Sequence, residues 1–193
     1  MFDQVLKDNI CSHISVFSNV NDTIYNAFNC VVNHCVQCLE KGGSIYFCGN
    51  GGSASDAAHA AAELVGRFEL ERKGLKACCL SIDPVLLTAV ANDYTFDSIF
   101  SRQIEARCQE HDLVFFLSTS GNSLNLLNAA EVCNRLGINT VALLGKGGGE
   151  LSNLIVNNII VPSNNTARIQ EMHIFLLHTI CEIIEKEFCR EEY

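Results

Sequence analysis

The chain has 193 residues, of which 48% are hydrophobic and 18% are charged. This length suits one compact domain, and the large apolar share excludes a globally disordered chain. The chain contains 13 Lys and Arg and 22 Asp and Glu, which gives a formal net charge of −9. That balance argues against a nucleic acid or an anionic membrane as the main partner. A small anionic ligand stays compatible with it, because backbone N–H groups and hydroxyls hold a phosphate with few cations.

The N-terminus and the cysteines favour a cytoplasmic location. No apolar run reaches the roughly 18 residues of a membrane span, and residues 1–8 lack the basic and apolar regions of a secretory signal. The 11 cysteines are an odd number scattered through apolar segments, as small buried side chains are in a reducing compartment. Cys35 and Cys38, beside His34, have no second pair at zinc-finger spacing. We therefore interpret them as free thiols on a helix.

The first forty residues predict one or two helices. Apolar side chains recur at helical spacing over residues 16–39. Asn21 or Asp22 is a candidate N-cap within this stretch, and the pair Gly42-Gly43 ends it. We expect these helices to pack on the core of the domain or on another subunit.

Five short apolar runs then alternate with longer segments of helical pattern. Such runs suit strands that are buried on both faces, as in a parallel sheet. The alternation predicts an α/β fold, a doubly wound five-stranded parallel sheet of flavodoxin-like type flanked by helices. It occupies residues 42–193, and residues 1–41 form an N-terminal helical extension. The predicted strands are 44–48, 77–82, 113–117, 140–144 and 158–161, and the predicted helices are about 53–66, 123–136 and 166–189.

Segments rich in glycine and serine follow three of the predicted strands, at the edge where such sheets bind ligands. The segment 118–123 offers four hydroxyls before a helix, whose N-terminal amides complete a phosphate cradle. The alternative is an ordinary turn with Ser123 as the N-cap. The segment 49–53 is neither a dinucleotide fingerprint nor a Walker loop. Its glycines, like those of 145–149, suit either close approach to a ligand or a tight turn.

Two predicted helices carry candidate metal ligands. His59 and Glu63 are four residues apart, so they share one helix face and are able to share one metal ion. The competing interpretation is a surface pair. Gln170 and His178 are eight residues apart on the last helix, about 12 Å along its axis. They converge on one centre only if both side chains lean inward or if neighbouring subunits supply them.

Taken together, these motifs resemble the sugar isomerase (SIS) domain family, and within it the phosphoheptose isomerases. The resemblance extends over nearly the whole chain. The serine loop is general to SIS domains, whereas the combination of His59, Glu63, Gln170 and His178 matches the zinc site of the heptose-phosphate branch. The other matching segments are Cys48–Ser53, Gly66-Arg67-Phe68, Ala91-Asn92-Asp93, Phe100-Ser101-Arg102 and Arg168–Glu171.

The resemblance implies an isomerase that converts D-sedoheptulose 7-phosphate to D-glycero-D-manno-heptose 7-phosphate, the first step toward the heptose of bacterial surface glycoconjugates such as lipopolysaccharide. It implies a homotetramer with active sites near subunit contacts and one Zn²⁺ per subunit, held by His59, Glu63, Gln170 and His178. Proton transfer through an enediol or enediolate needs a base and an acid. The family suggests Glu63 and His178, and which of them is the base stays open.

The resemblance also implies a set of substrate-binding residues. They are Asn50, Gly51, Gly52, Ser53, Glu63, Asn92, Asp93, Ser118, Thr119, Ser120, Ser123 and Gln170.

Three other functions are compatible with an SIS fold. Some bacterial SIS proteins are scaffolds that bind the replication initiator, and such a scaffold does not need the four polar ligands. A sugar-phosphate-responsive regulator usually has an added DNA-binding domain, for which an acidic chain of 193 residues leaves no obvious room. An isomerase of pentose or hexose phosphates is the third alternative. We predict a sugar-phosphate ligand and a homo-oligomer, with no nucleic-acid or membrane partner.

Overall fold

The computed structural model describes residues 2–189. Met1 and residues 190–193, which the predicted segments include, lie outside them. The N-terminal stretch forms two helices, α1 (Phe2–Ser18) and α2 (Asp22–Glu40). Asn21 is the N-cap of α2, and its side-chain oxygen accepts a hydrogen bond from the backbone N–H of Ile24. The predicted end at the glycine pair is also confirmed, since Gly42 has a φ of +77° and begins the turn into the sheet.

The sheet has five parallel strands in the order β2-β1-β3-β4-β5. This is the flavodoxin-like order, so the predicted fold class is confirmed. The strands are β1 (Ile45–Gly49), β2 (Ala77–Cys79), β3 (Leu113–Ser118), β4 (Asn139–Leu144) and β5 (Asn158–Ile160). The remaining helices are α3 (Gly52–Val65), α4 (Pro84–Asp93), α5 (Ser101–Arg107), α6 (Leu124–Leu136), α7 (Leu151–Leu154) and α8 (Thr166–Cys189).

The second strand is shorter than predicted. It ends at Cys79 rather than at residue 82, because the Ser81 side chain takes over the pairing with β1. The Ser81 hydroxyl donates to the carbonyl of Gly49 at 2.8 Å and accepts from its N–H at 3.2 Å. The chain can therefore turn away while both backbone groups of Gly49 stay satisfied.

Helices α4 and α5 lie between β2 and β3 and were not predicted. Asp83 caps α4 by accepting from the N–H of Leu86 at 3.0 Å, and Pro84 occupies the first turn. An Asp-Pro pair before an apolar segment is a helix-start signal.

The strands bury both of their faces, as the apolar runs predicted. On β3, Phe115 and Leu117 join the core beneath α2, α3 and α8, whereas Val114 and Phe116 join the core beneath α5 and α6. Helix α2 belongs to the first core, since Val31 and Cys35 are fully buried. Helix α1 buries only Val16 among its residues. None of the helices in residues 2–189 is both long and apolar enough to cross a membrane.

All eleven cysteines are free thiols, as predicted. Cys35 and Cys38 are buried on α2. Burial raises the pKa of the Cys38 thiol to about 11, and it raises the pKa of Cys35 as well. Both thiols therefore stay protonated at neutral pH and are poor metal ligands.

The topology creates a crevice at the carboxyl ends of β1 and β3. These two strands are neighbours, yet α3 packs on one face of the sheet and α6 on the other. The segments that follow the two strands therefore diverge. This is the switch point at which open α/β sheets bind ligands.

Candidate active site

The first part of the site is a small polar cavity between the segments that follow β1 and β3. Its volume is about 80 Å³. The polar lining comes from two segments that are 65 residues or more apart in sequence, and Leu117 and Leu126 form its apolar wall. The structure thus brings six predicted substrate-binding residues together: Asn50, Ser53, Ser118, Thr119, Ser120 and Ser123.

The serine loop is shaped by its own hydroxyls. Ser118 accepts from the N–H of Gly121 at 3.0 Å, and Ser120 accepts from the N–H of Asn122 at 3.2 Å. Ser123 is the N-cap of α6 by its backbone, but its side chain makes no capping hydrogen bond. The Ser123 hydroxyl and the first N–H groups of α6 are therefore available to an anion, which favours the phosphate cradle over the ordinary capped turn.

The segment after β4 supports this loop from behind. Gly121 has a φ of +67°, and a Cβ there would overlap the carbonyl of Gly148. The N–H of Glu150 donates to the side-chain oxygen of Asn122 at 2.9 Å, and the N–H of Leu151 donates to the carbonyl of Gly121 at 2.9 Å. The glycine-rich segment 145–149 is therefore a support for the serine loop.

Sequence analysis missed Asn125, which joins the two sides of the cavity. The side-chain amides of Asn50 and Asn125 donate to each other's oxygens, both at 2.9 Å. Asn125 is only 1% exposed. A polar residue that points inward from an amphipathic helix was the available signal, and its partner 75 positions earlier could not be inferred from the pattern.

The second part of the site lies between α3 and α8. His59 Nε2 is 2.8 Å from His178 Nε2 and 3.3 Å from Glu63 Oε1. The His59 and Glu63 side chains are 44% and 22% exposed, so both are accessible to a ligand. The structure therefore brings three of the four predicted metal ligands together within one chain. Ala57 and Ala60 of α3 are buried, and their small side chains let the helix pack closely on the core.

Gln170 lies elsewhere on α8, two turns before His178. Its amide lies against Gly52 at the start of α3, so closely that a Cβ on Gly52 would overlap it. Helices α3 and α8 thus meet twice, at the Gly52–Gln170 contact and at the His59–His178 contact. The two contacts are at different levels of the helix pair, so Gln170 and His178 do not face one centre within this chain, and the part of Gln170 in a metal site stays a prediction.

Asp56 is a further polar residue near the imidazoles that sequence analysis did not single out. It precedes His59 by three positions, and its Oδ2 atom is buried without a hydrogen-bond partner among the described residues. Burial raises the pKa of Asp56, and the charges of His59 and His178 act in the opposite direction. A buried carboxylate oxygen without a partner beside two imidazoles suits a polar or cationic ligand.

The donor types of this cluster suit a divalent metal, although the cluster is not a finished site. Two nitrogen ligands of one tetrahedral zinc stand about 3.3 Å apart, given bonds of about 2.0 Å. The two imidazoles are at 2.8 Å and share a hydrogen bond instead. Within residues 2–189, no group of three or more His, Cys, Asp or Glu is arranged to hold a metal ion as it stands. A slight separation of the rings and a fourth donor would be required.

Asn92 and Asp93, the other predicted substrate-binding residues, end helix α4. Both are exposed, and the Asn92 amide donates to the Asp93 carboxylate at 3.0 Å. Neither lines the serine cavity. Their part in substrate binding stays a prediction.

Known proteins share this fold and this sequence pattern. The SIS domain family pattern matches residues 11–145. A phosphoheptose isomerase of Helicobacter pylori is 44% identical over 191 residues, covering 99% of this chain and 100% of the relative. One of Aliarcobacter butzleri is 46% identical over 187 residues, covering 97% and 98%. The structure of a phosphoheptose isomerase from Francisella tularensis matches with a TM-score of 0.92 at 35% identity, covering 96% of this chain and 99% of that one.

The chain therefore belongs to the SIS domain family, in the branch of the phosphoheptose isomerases. The class of activity that this membership supports is sugar-phosphate isomerisation.

Proposed function

We propose that this chain converts D-sedoheptulose 7-phosphate to D-glycero-D-manno-heptose 7-phosphate, the first step toward the heptose of bacterial surface glycoconjugates such as lipopolysaccharide. The observation that carries the proposal is the course of α3. This helix starts at the hydroxyl-lined cavity with Ser53 and continues to His59 and Glu63, which face His178. The arrangement suits a long open-chain sugar whose phosphate and reacting carbonyl are at opposite ends.

The serine loop holds the phosphate in this proposal. Four hydroxyls and the free N–H groups at the start of α6 supply donors without a lysine. Asn50 is held by Asn125 at the same cavity. Asn92, Asp93, Glu63 and Gln170 complete the substrate-binding set that the family resemblance implies, together with the backbone of Gly51 and Gly52.

Glu63 and His178 move the proton between the two adjacent carbons. A ketose-to-aldose conversion removes a proton from one carbon, returns it to the next, and passes through an enediol or enediolate. A carboxylate and an imidazole are suited to take up and release it. His59 Nε2 lies at hydrogen-bond distance from His178 Nε2, so it helps to orient the catalytic imidazole.

We also propose one divalent ion per subunit, and zinc is the ion that the nitrogen and oxygen donors favour. His59, Glu63 and His178 would hold it, with Gln170 as the fourth residue of the family pattern. When bound, the ion would supply Lewis-acid polarisation of the sugar carbonyl. The Oδ2 atom of Asp56 is buried without a hydrogen-bond partner near the imidazoles, which favours a cation there.

The proposed assembly is a homotetramer in the cytoplasm. Helix α1 exposes a row of large apolar side chains, Leu6, Ile10 and Ile14, which are 48–61% exposed. An apolar groove lined by Phe17, Tyr25, Phe175 and neighbouring residues runs beside it between α2 and α8. Exposed apolar surface of this extent marks a contact between subunits. The eleven free thiols suit a reducing compartment.

Product analysis tests the proposal against its alternatives. Purified protein is incubated with sedoheptulose 7-phosphate and with pentose and hexose ketose phosphates, and the aldose products are identified. The proposal predicts turnover of the heptulose phosphate above the others. Preference for a shorter sugar would assign another isomerase, and no turnover of any sugar would favour the non-catalytic scaffold that binds the replication initiator.

A further inference from the structure

A buried ion pair lies behind the face of α3 and α8 that carries the candidate site. Arg72 Nε is 3.3 Å from Glu185 Oε1, and the two side chains are 1% and 2% exposed. Arg72 comes from the segment that follows α3, and Glu185 comes from α8, two turns after His178. Neither residue was singled out in the sequence, and the proton transfer does not use them. Two charged side chains removed from water need a compensating set of partners.

Glu185 finds its partners in the segment after α3. Its carboxylate accepts from three consecutive backbone N–H groups, those of Phe68, Glu69 and Leu70, at 2.7–2.8 Å. Burial acts to raise the pKa of Glu185, but these three donors and the Arg72 charge outweigh it and hold the pKa below its usual value. The Glu185 carboxylate therefore favours its charged form, and it holds the backbone of residues 68–70 in place.

Arg72 binds the end of α3. Its guanidinium donates to the carbonyls of Glu63 at 2.8 Å, Leu64 at 2.9 Å and Gly66 at 3.4 Å. The last carbonyls of a helix have no partners within the helix, and a cation there also complements the helix dipole. The residue whose backbone Arg72 holds most closely is Glu63, the proposed proton-transfer carboxylate.

The same segment reaches the imidazole on the other side of the site. The ring of Phe68 lies against His178, with a distance of 5.7 Å between ring centroids. Because the N–H of Phe68 is bound to Glu185, the position of this ring depends on the ion pair. One buried pair is therefore connected to Glu63 through its carbonyl and to His178 through Phe68.

We propose that Arg72 and Glu185 are positioning residues for catalysis, which fix the separation of Glu63 from His178 through the end of α3 and the Phe68 ring. The inference rests on the proposed function, since it assigns these two groups to the proton transfer. A misplacement of reacting groups by about 1 Å costs up to about 100-fold in rate. The serine cavity lies at the start of α3, at the opposite end of this helix from the carbonyls that Arg72 binds, so we expect the pair to leave the binding of the phosphate unchanged.

Two variants separate positioning from mere stabilisation. Arg72→Lys keeps the positive charge beside Glu185 but loses the planar fork that binds several carbonyls at once. Phe68→Leu leaves the ion pair intact and removes the ring from His178. We expect each to lower kcat between about tenfold and about 100-fold while KM changes by less than about twofold. Arg135→Lys is the matched control, because Arg135 makes an exposed ion pair with Glu105 and is expected to keep the wild-type kcat.

Steady-state rates are measured on the ketose phosphate that the wild type turns over, below the unfolding temperature of every variant. Wild-type kcat in folded Arg72→Lys or in Phe68→Leu would overturn the proposal, as would a loss confined to KM. If Arg72→Lys does not fold, Phe68→Leu decides the matter. Glu63→Gln in the same assay distinguishes a failure of the positioning proposal from a failure of the proposed function. If it is inactive while Phe68→Leu is unaffected, only the positioning fails, whereas wild-type activity of Glu63→Gln would contradict the proposed function itself.

Discussion

Three histidines of α8 and α3 lie in two different environments. His59 and His178 face each other at the accessible site, whereas His173 is fully buried and donates through Nε2 to the carbonyl of Leu144 at 3.2 Å. Sequence spacing alone could not separate these roles, because His173 and His178 are close on the same helix. The partner across the helix pair decides which imidazole is available for chemistry.

The buried imidazole predicts a pH dependence of stability. Burial lowers the pKa of His173 from 6.5 to about 4. Between these values the unfolded chain takes up a proton that the folded chain does not, so the free energy of unfolding falls as the pH falls from about 6.5. At pH 4 the free energy of unfolding has fallen by about 3 kcal/mol through this one group. Urea unfolding at pH 7.5 and 5.0 measures it, and His173→Gln should show a smaller loss than the wild type. Equal losses would contradict this account.

The serine loop predicts a binding defect at the residue scale. Replacing Ser120 by Ala removes one hydroxyl from the cavity, and a hydrogen bond to a charged phosphate contributes about 1.5–3 kcal/mol. The KM for the sugar phosphate should therefore rise about tenfold or more. Initial-rate kinetics check it, with Ser15→Ala on exposed α1 as the control. An unchanged KM would remove Ser120 from the phosphate site.

At the scale of elements, the sequence predicts the helices and strands but not the side-chain contacts between residues that are far apart in the chain. The five strands and helices α3, α6 and α8 follow from apolar runs and helical periodicity, and they appear within a few residues of the predicted bounds. The partners of Asn125 and Arg72 come from segments far away in the chain. No local pattern contains such information, so these residues became visible only in the fold. Gln170 shows the same limit, since its contact with Gly52 depends on how α3 and α8 cross.

Helix α1 predicts the oligomeric state. Leu6 and Ile10 are 61% and 48% exposed on a helix that contributes little to the core. If they lie in the contact between subunits, Leu6→Glu with Ile10→Glu places charges in an apolar interface and dissociates it. Light scattering should give the mass of four chains for the wild type and a smaller mass for the variant. Lys7→Glu adds the same charge on a neighbouring face and should leave the mass unchanged. A monomeric wild type at micromolar concentration would refute the proposed assembly.

At the scale of the whole molecule, the residues that stabilise the fold are different from those of the candidate site. Two apolar cores hold the sheet from both faces, and neither contains His59, Glu63 or His178. Removal of a divalent ion with a chelator should therefore lower the isomerase activity while circular dichroism and the unfolding temperature stay close to those of the untreated protein. Readdition of zinc should restore the activity. Full activity after verified removal of metal would contradict the proposed ion.

The central claim is that Glu63 takes part in the proton transfer, and the turnover rate of Glu63→Gln tests it most directly. Gln keeps the shape of the side chain and one oxygen but is not a base. The variant should fold, bind sedoheptulose 7-phosphate and lose on the order of 10²–10⁴ in kcat. Turnover of this substrate by Glu63→Gln at the wild-type rate would contradict the claim.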